Sequence, residues 1–83
     1  MAKVSVCIQT TKFIETEIDD KYIKLDIDRQ ASMEQNDTVY ISEFVNGDIL
    51  SPIMELRHKL NLDNDSEIVS IIDEQTDSLL YTE

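Results

Sequence analysis

Cysteine, glycine and proline each occur once in this 83-residue chain, and tryptophan is absent. A single cysteine, Cys7, excludes a disulfide within the chain. The first residues, MAKVSVCIQ, lack the basic start and long apolar run of a secretory signal, so we expect a cytoplasmic location. No apolar run approaches the roughly 18 residues of a membrane span, and we therefore expect a soluble protein.

Positive charge is also scarce, because 7 Lys and Arg stand against 18 Asp and Glu, for a net charge of −11. Direct binding to nucleic acid is not expected, since phosphate groups attract cationic side chains. A protein partner with a basic surface is compatible with this charge. The 41% of hydrophobic residues suffices for one core, so residues 1–83 are expected to form a single folded domain.

Residues for catalysis are few. Cys7 lies on an expected strand, where a buried structural side chain is the usual role. His58 stands between two basic residues on an expected helix, where a solvated position is the simpler interpretation. Gly47 is alone, so there is no glycine-rich phosphate loop. We therefore expect a protein that is not an enzyme and that needs no cofactor.

One spacing resembles a calcium loop. Asp63, Asp65, Glu67 and Glu74 match ligand positions 1, 3, 5 and 12 of such a loop. The sixth position requires glycine for a sharp turn and here holds Ile68, at the start of an apolar run typical of a strand. No metal site is expected.

Hydrophobic alternation predicts an α+β fold with a five- or six-stranded, mainly antiparallel sheet. The expected strands are residues 3–9, 12–18, 22–28, 38–45, 67–72 and 78–81. Ser51 and Pro52 predict the start of one helix over about residues 51–62, packed on one face of the sheet. The polar, aperiodic stretch 29–37 is expected to be a loop with at most one helical turn.

Strands 12–18 and 22–28 are expected to pair as a hairpin around residues 20–21. In that register Ile18 lies opposite Ile23, and the apolar face closes on itself. A longer loop that shifts the pairing is the alternative, because Asp-Lys is not a favoured two-residue turn. The same register places Glu15 opposite Asp26, a like-charge contact that destabilises a sheet and is therefore expected where function imposes it.

The outward face of this hairpin is the expected partner-binding site, with four carboxylates and an aromatic side chain at each end. Its residues are Glu15, Glu17, Asp26, Asp28, Phe13 and Tyr22. Carboxylates two residues apart on a strand are spaced by about 6.6 Å, wider than the roughly 3.4 Å between phosphates along one DNA strand. Two adjacent acidic strands, or one strand with the loop at residues 63–67, would come closer to that density.

In composition the chain resembles phage-encoded inhibitors that imitate DNA, such as uracil-DNA glycosylase inhibitors and some anti-CRISPR proteins. The shared features are small size, acidity, scarcity of glycine, a strand-rich pattern and the lack of catalytic residues, so no residue role carries over. The first hypothesis is an inhibitor or adaptor that occupies a basic, nucleic-acid-binding surface of a host protein. The same charge is also explained by solubility alone.

The alternative is an assembly module that forms a homodimer or larger homo-oligomer through a sheet edge or an apolar patch. Strand 38–45 motivates it, because Tyr40 and Phe44 lie on one face while Ile41 and Val45 lie on the other. One helix cannot cover both faces of that strand.

Overall fold

A computed structural model describes residues 1–9 and 12–83. In these residues the chain forms six strands, two α-helices and two short 3-10 turns. The strands are β1 (Ala2–Ile8), β2 (Lys12–Ile18), β3 (Ile23–Ile27), β4 (Tyr40–Phe44), β5 (Ile68–Asp73) and β6 (Ser78–Thr82). The helices are α1 (Arg29–Gln35) and α2 (Leu50–Lys59), and the 3-10 turns span Asp20–Tyr22 and Val45–Gly47.

The six strands divide between two sheets. The larger sheet is antiparallel with the order β2-β1-β5-β6, and the smaller is a two-stranded ribbon of β3 and β4. The α+β class is therefore confirmed, whereas a single five- or six-stranded sheet is not. The expected closing hairpin is present as β5 and β6, with Ile72 opposite Leu79.

Helix α2 covers one face of the larger sheet. Along β1, Val4 and Val6 are fully buried on that face, where they join Leu56 of α2 and Ile71 of β5 in the core. Each of these side chains removes its apolar area from water, worth about 1.5–3 kcal/mol when burial is complete. Among the described residues, α2 and the buried core lie on one side of the larger sheet, and side chains such as Lys3, Phe13 and Leu79 are exposed on the other.

The expected hairpin of residues 12–18 and 22–28 is wrong. Strand β2 pairs with β1, and β3 pairs with β4. The intervening residues form a 3-10 turn, in which the Asp19 side chain accepts a hydrogen bond from Lys21 N at 3.0 Å. This turn directs β3 into the second sheet, so Ile18 packs in the core without lying opposite Ile23.

The expected loop over residues 29–37 contains helix α1. Asp28 caps its start by accepting from Ala31 N at 3.1 Å, and Asn36 ends it in the left-handed conformation at φ 55°. These two caps stabilise a seven-residue helix that lacks apolar periodicity. The expectation of one helix is therefore corrected to two.

Helix α2 begins one residue earlier than expected. Asp48 Oδ1 accepts from Ser51 N at 3.2 Å, so aspartate and not Ser51 satisfies a free N–H of the first turn. Pro52 lies in that first turn, where its missing N–H costs no intrahelical hydrogen bond. The helix ends at Lys59, three residues before the expected end at about residue 62. Its last turn holds Arg57, His58 and Lys59, whose positive charge is favourable at the negative end of the helix dipole.

The ribbon makes the molecule elongated. Its Phe44 end is buried in the core, whereas Ile27 and Tyr40 at the other end are about half exposed. The radius of gyration is 13.6 Å and the extents are 45 × 26 × 20 Å. A spherical domain of this length would have a radius of gyration of about 12 Å. The larger value fits a ribbon that extends from the core.

Candidate partner-binding surface

The face of the larger sheet opposite α2 is the candidate site, and we call it the open face. Side chains alternate between the two sides of a strand. Because Val4 and Val6 point to the core, Lys3 and Ser5 belong to the open face. Their partners on β2 therefore point the same way.

Three carboxylates lie on the open face around one ammonium group. Glu17 pairs with Lys3, and Glu15 pairs with Ser5 in the register of β1 and β2. Glu74 follows β5 on the other side of β1, and its N–H donates to the Lys3 carbonyl at 3.1 Å. Adjacent strands are about 4.8 Å apart, so these groups form a short row across the sheet.

The row borders a shallow cavity of about 180 Å³, whose lining consists mostly of charged side chains. The lining residues are Lys3, Glu15, Thr16, Glu17 and Glu74. The cavity is open to solvent and too small to enclose a drug-sized ligand, which needs roughly 300 Å³ or more.

Two large apolar side chains flank the acidic row. Phe13 is 66% exposed at the start of β2, and Leu79 is 57% exposed on β6. The register places Phe13 beside Cys7 and Leu79 beside Ile72 on the open face. Phe13 and Leu79 thus give the open face two apolar groups beside its charges, which are available for contact with another molecule.

The negative charge is largely uncompensated. Within residues 1–9 and 12–83, the ion pairs closer than 4.0 Å are the Met1 amino terminus with Asp20 and Lys24 with Glu43. Two other cations contact backbone carbonyls: Lys59 Nζ donates to the Glu17 carbonyl at 2.5 Å, and Arg57 donates to the carbonyls of Asp63 and Ser66. The open face thus keeps carboxylates that a basic partner would contact, within a field set by the net charge of −11.

The structure brings only half of the expected site together. Phe13, Glu15 and Glu17 lie on β2 and share the open face. The other three residues lie on or next to β3, in the ribbon. Those three residues are Tyr22, Asp26 and Asp28.

Each of these three side chains has a local structural contact. Tyr22 is half-buried and packs against the core. The Asp26 carboxylate accepts from Ile27 N at 2.8 Å, and Asp28 caps α1. Glu15 lies opposite Ser5 and not opposite Asp26, so the expected like-charge repulsion is wrong as well.

Sequence reasoning missed Lys3, Glu74 and Leu79. The alternation of β1 and β6 gives the face of Lys3 and Leu79, but only the pairing of β1 with both β2 and β5 makes them neighbours of Glu15. Glu74 follows the end of β5, in a stretch that the sequence predicts to be a turn, so alternation along a strand did not assign it to a face.

Cys7 and His58 lie on opposite sides of the larger sheet. Cys7 is buried beside Phe13 on the open-face side of β1, whereas His58 is exposed on α2, which covers the opposite face.

The four acidic residues of the calcium-like spacing are also divided, because strand β5 separates Glu67 from Glu74. The described part of the chain contains no cluster of three His, Cys, Asp or Glu side chains arranged for a metal ion.

Comparison with known protein families, curated proteins and solved structures finds no match to this chain. None of the helices in the described residues has the length and apolar character that crossing a membrane requires.

Proposed function

We propose that this chain is a small protein-binding inhibitor or adaptor that occupies a basic surface of a partner protein. The open face is its contact surface. Glu15, Glu17 and Glu74 contact cationic groups of the partner, while Phe13 and Leu79 enter apolar recesses. The partner's basic surface is of the kind that binds nucleic acid, and the chain competes for it.

One observation carries this proposal: exposed apolar and carboxylate side chains share the sheet face that α2 leaves uncovered. Area alone does not give affinity, but aromatic anchors with a charged rim are the usual source of binding energy. The carboxylates also raise the association rate toward a basic surface. A purely solubilising charge requires neither the exposed Phe13 nor the exposed Leu79 beside it.

Imitation of DNA would use the spacing of these carboxylates. Glu15 and Glu17 are separated by about 6.6 Å along β2, and Glu74 lies two strand spacings of about 4.8 Å from Glu17. This array is sparser than a DNA backbone. The proposed contact is therefore a small part of a nucleic-acid groove and depends on the apolar anchors as much as on charge.

Affinity capture from a bacterial lysate tests the proposal. The immobilised chain is compared with a Glu15→Lys, Glu17→Lys double variant. A Glu34→Lys, Asp65→Lys double variant is the matched control, because both changes are at exposed positions outside the open face and also shift the net charge from −11 to −7. We expect a nucleic-acid-handling protein that the wild type and the control retain at low salt, that high salt releases, and that the open-face variant does not retain. Equal capture by all three baits, or none by the wild type, contradicts the proposal.

A further inference from the structure

Strand β3 has an unpaired edge, because β4 is its one neighbour in the described ribbon. The N–H of Ile27 donates to Asp26 Oδ1 at 2.8 Å instead of to β4. Ser42 of β4, opposite Leu25, donates its N–H away from β3, to Ser78 Oγ at 3.1 Å. Hydrogen-bonding direction alternates along an antiparallel strand, so Leu25 and Ile27 turn their backbone polar groups toward the open edge.

The same strand exposes an apolar face. Leu25 is 52% exposed and Ile27 is 49% exposed, and Tyr40, opposite Ile27 on β4, is 47% exposed. These three side chains point to one side of the ribbon. A strand edge with open backbone groups and an exposed apolar face is a template for pairing with another strand.

We propose that a second copy of this chain pairs with the β3 edge, with the two β3 strands antiparallel and Leu25 opposite Leu25. In this register Ile23 lies opposite Ile27 of the second copy. Lys24 lies opposite Asp26 of the second copy, and Asp26 lies opposite Lys24. The dimer has a continuous four-stranded sheet in the order β4-β3-β3-β4, with its apolar side chains on one face.

Charge complementarity favours a second copy of this chain as the partner of the β3 edge, and it favours this register over its neighbours. The sequence Lys24-Leu25-Asp26 is self-complementary about Leu25, so two opposite-charge pairs form across the two-fold axis. A shift by one pairing step in either direction places Lys24 opposite Lys24, or Asp26 opposite Asp26. Like charges directly opposite each other destabilise a sheet, whereas opposite charges stabilise it.

The groups that must change partners are the N–H of Ile27 and the exposed side chains of Lys24 and Asp26, whereas the N–H of Ile23 keeps its hydrogen bond to the Asp20 carbonyl. The N–H of Ile27 would transfer from the Asp26 carboxylate to the Ile23 carbonyl of the second copy. This exchange frees the Asp26 carboxylate for Lys24. The existing contact of Lys24 with Glu43 is 3.9 Å long between side chains that are 58% and 64% exposed, and such surface pairs contribute little.

This dimer is independent of the proposed function. It uses the ribbon and leaves the open face of the larger sheet accessible. Repulsion between two copies of net charge −11 opposes association at low ionic strength. Sedimentation is therefore measured at about 0.5 M NaCl, where this repulsion is strongly screened. The charge-exchange variants are compared at about 0.15 M NaCl, where directly opposite Lys24 and Asp26 charges are screened less.

Sedimentation equilibrium of the full chain gives the first result. We expect a species of twice the 9.6 kDa chain mass. A monomer at every concentration up to about 1 mM overturns the proposal.

Charge exchange tests the register. Lys24→Asp and Asp26→Lys, each alone, create two like-charge contacts in the homodimer, and we expect about a tenfold or greater loss of dimer affinity. When the two variants are mixed, every cross-strand pair is again of opposite sign, so a heterodimer forms with near wild-type affinity. This rescue also shows that both variants are folded. Failure of the mixture to associate overturns the register.

A leucine pair provides the positional control. Leu25→Lys places two ammonium groups at the centre of the interface, and we expect a monomer. Leu79→Lys changes a side chain of similar exposure on the open face of the other sheet, and we expect a dimer. A dimer that survives Leu25→Lys, or is lost in Leu79→Lys, overturns the proposal. Neither outcome bears on partner capture by Glu15 and Glu17, so the two proposals fail separately.

Discussion

The hydroxyl of Ser42 donates to Oδ2 of Asp73 at 2.6 Å, and this hydrogen bond joins the ribbon to the larger sheet. Ser42 is 5% exposed and Asp73 is 2% exposed, so water does not compete for the contact. The other carboxylate oxygen accepts from Gln75 N at 2.9 Å, and the Thr76 hydroxyl lies 2.7 Å from Ser42 Oγ. A short bond to a buried carboxylate is among the stronger hydrogen bonds in a protein.

Ser42→Ala is expected to lower the free energy of unfolding by about 2 kcal/mol, because it leaves a buried carboxylate oxygen without its donor. Urea denaturation followed by circular dichroism measures the change. Ser51→Ala, at an exposed position, is the control and is expected to change stability by less than about 0.5 kcal/mol. Equal effects of the two substitutions would show that the Ser42–Asp73 contact does not hold the sheets together.

Leu56→Ala is expected to destabilise the chain by about 2–5 kcal/mol, because Leu56 is fully buried between α2 and the larger sheet and its removal leaves a cavity. A chain of this size has a total stability of only about 4–12 kcal/mol. Met54→Ala on the same helix, at 65% exposure, controls for helix propensity and should cost far less. Similar midpoints of denaturation for both variants would contradict the packing of α2 on this face.

Asp63 gives an acid-dependent contribution to stability. A hydrogen bond from the Ser66 hydroxyl, partly opposed by desolvation, lowers the pKa of Asp63 below its usual 3.8, and backbone N–H groups of Asp65 and Ser66 and the charge of Arg57 lower it further. Because the folded pKa lies below the unfolded one, this contribution is present above pH 3.8 and is lost as pH falls through the folded value.

Asp63→Asn should therefore flatten the fall of stability with acid below pH 3.8, relative to wild type. Denaturation midpoints across this pH range measure how steeply stability falls with acid. A carbon-detected NMR titration of the Asp63 carboxyl shows whether this group is the source. Glu34→Gln, at an exposed position on α1, is the comparison. A slope unchanged in Asp63→Asn, or an Asp63 that titrates above 3.8, contradicts the role of its hydrogen bonds.

Salt should stabilise the fold. The net charge of −11 on 83 residues creates repulsion that is relieved on unfolding, and about 0.5 M NaCl screens it. We expect the melting temperature to rise by a few degrees, and to rise less in the Glu34→Lys, Asp65→Lys variant, whose net charge is −7. A melting temperature that falls with salt in both proteins would show that local ion pairs outweigh the overall repulsion.

The strands and α2 could be predicted from the sequence because each has a local signal. Alternation of Val4, Val6 and Ile8 marks β1, and Asn46–Gly47 marks the turn after β4, where both residues have positive φ. Helix α1 has no apolar periodicity, yet its capping residues Asp28 and Asn36 are visible in the sequence and could have predicted it.

Strand pairing could not be predicted, because it depends on which partner buries the apolar face. Ile14 and Ile18 satisfy alternation equally well against β1 or β3, and the choice is made by the 3-10 turn at Asp20–Tyr22. This one difference separated Glu15 and Glu17 from Asp26 and brought them beside Lys3. The three expected site residues on β2 share a face because side chains alternate along that strand. The three on or next to β3 were expected to join them only because β3 was expected to pair with β2.

The most direct test of binding through the open face is an amide NMR titration of the isotopically labelled chain with the protein that salt releases from the wild-type bait. We predict that the amides of Phe13, Glu15, Glu17, Glu74 and Leu79 shift or broaden first, and that added salt reverses the change. Perturbations confined to the ribbon, residues 23–44, with the open face unaffected, would contradict it.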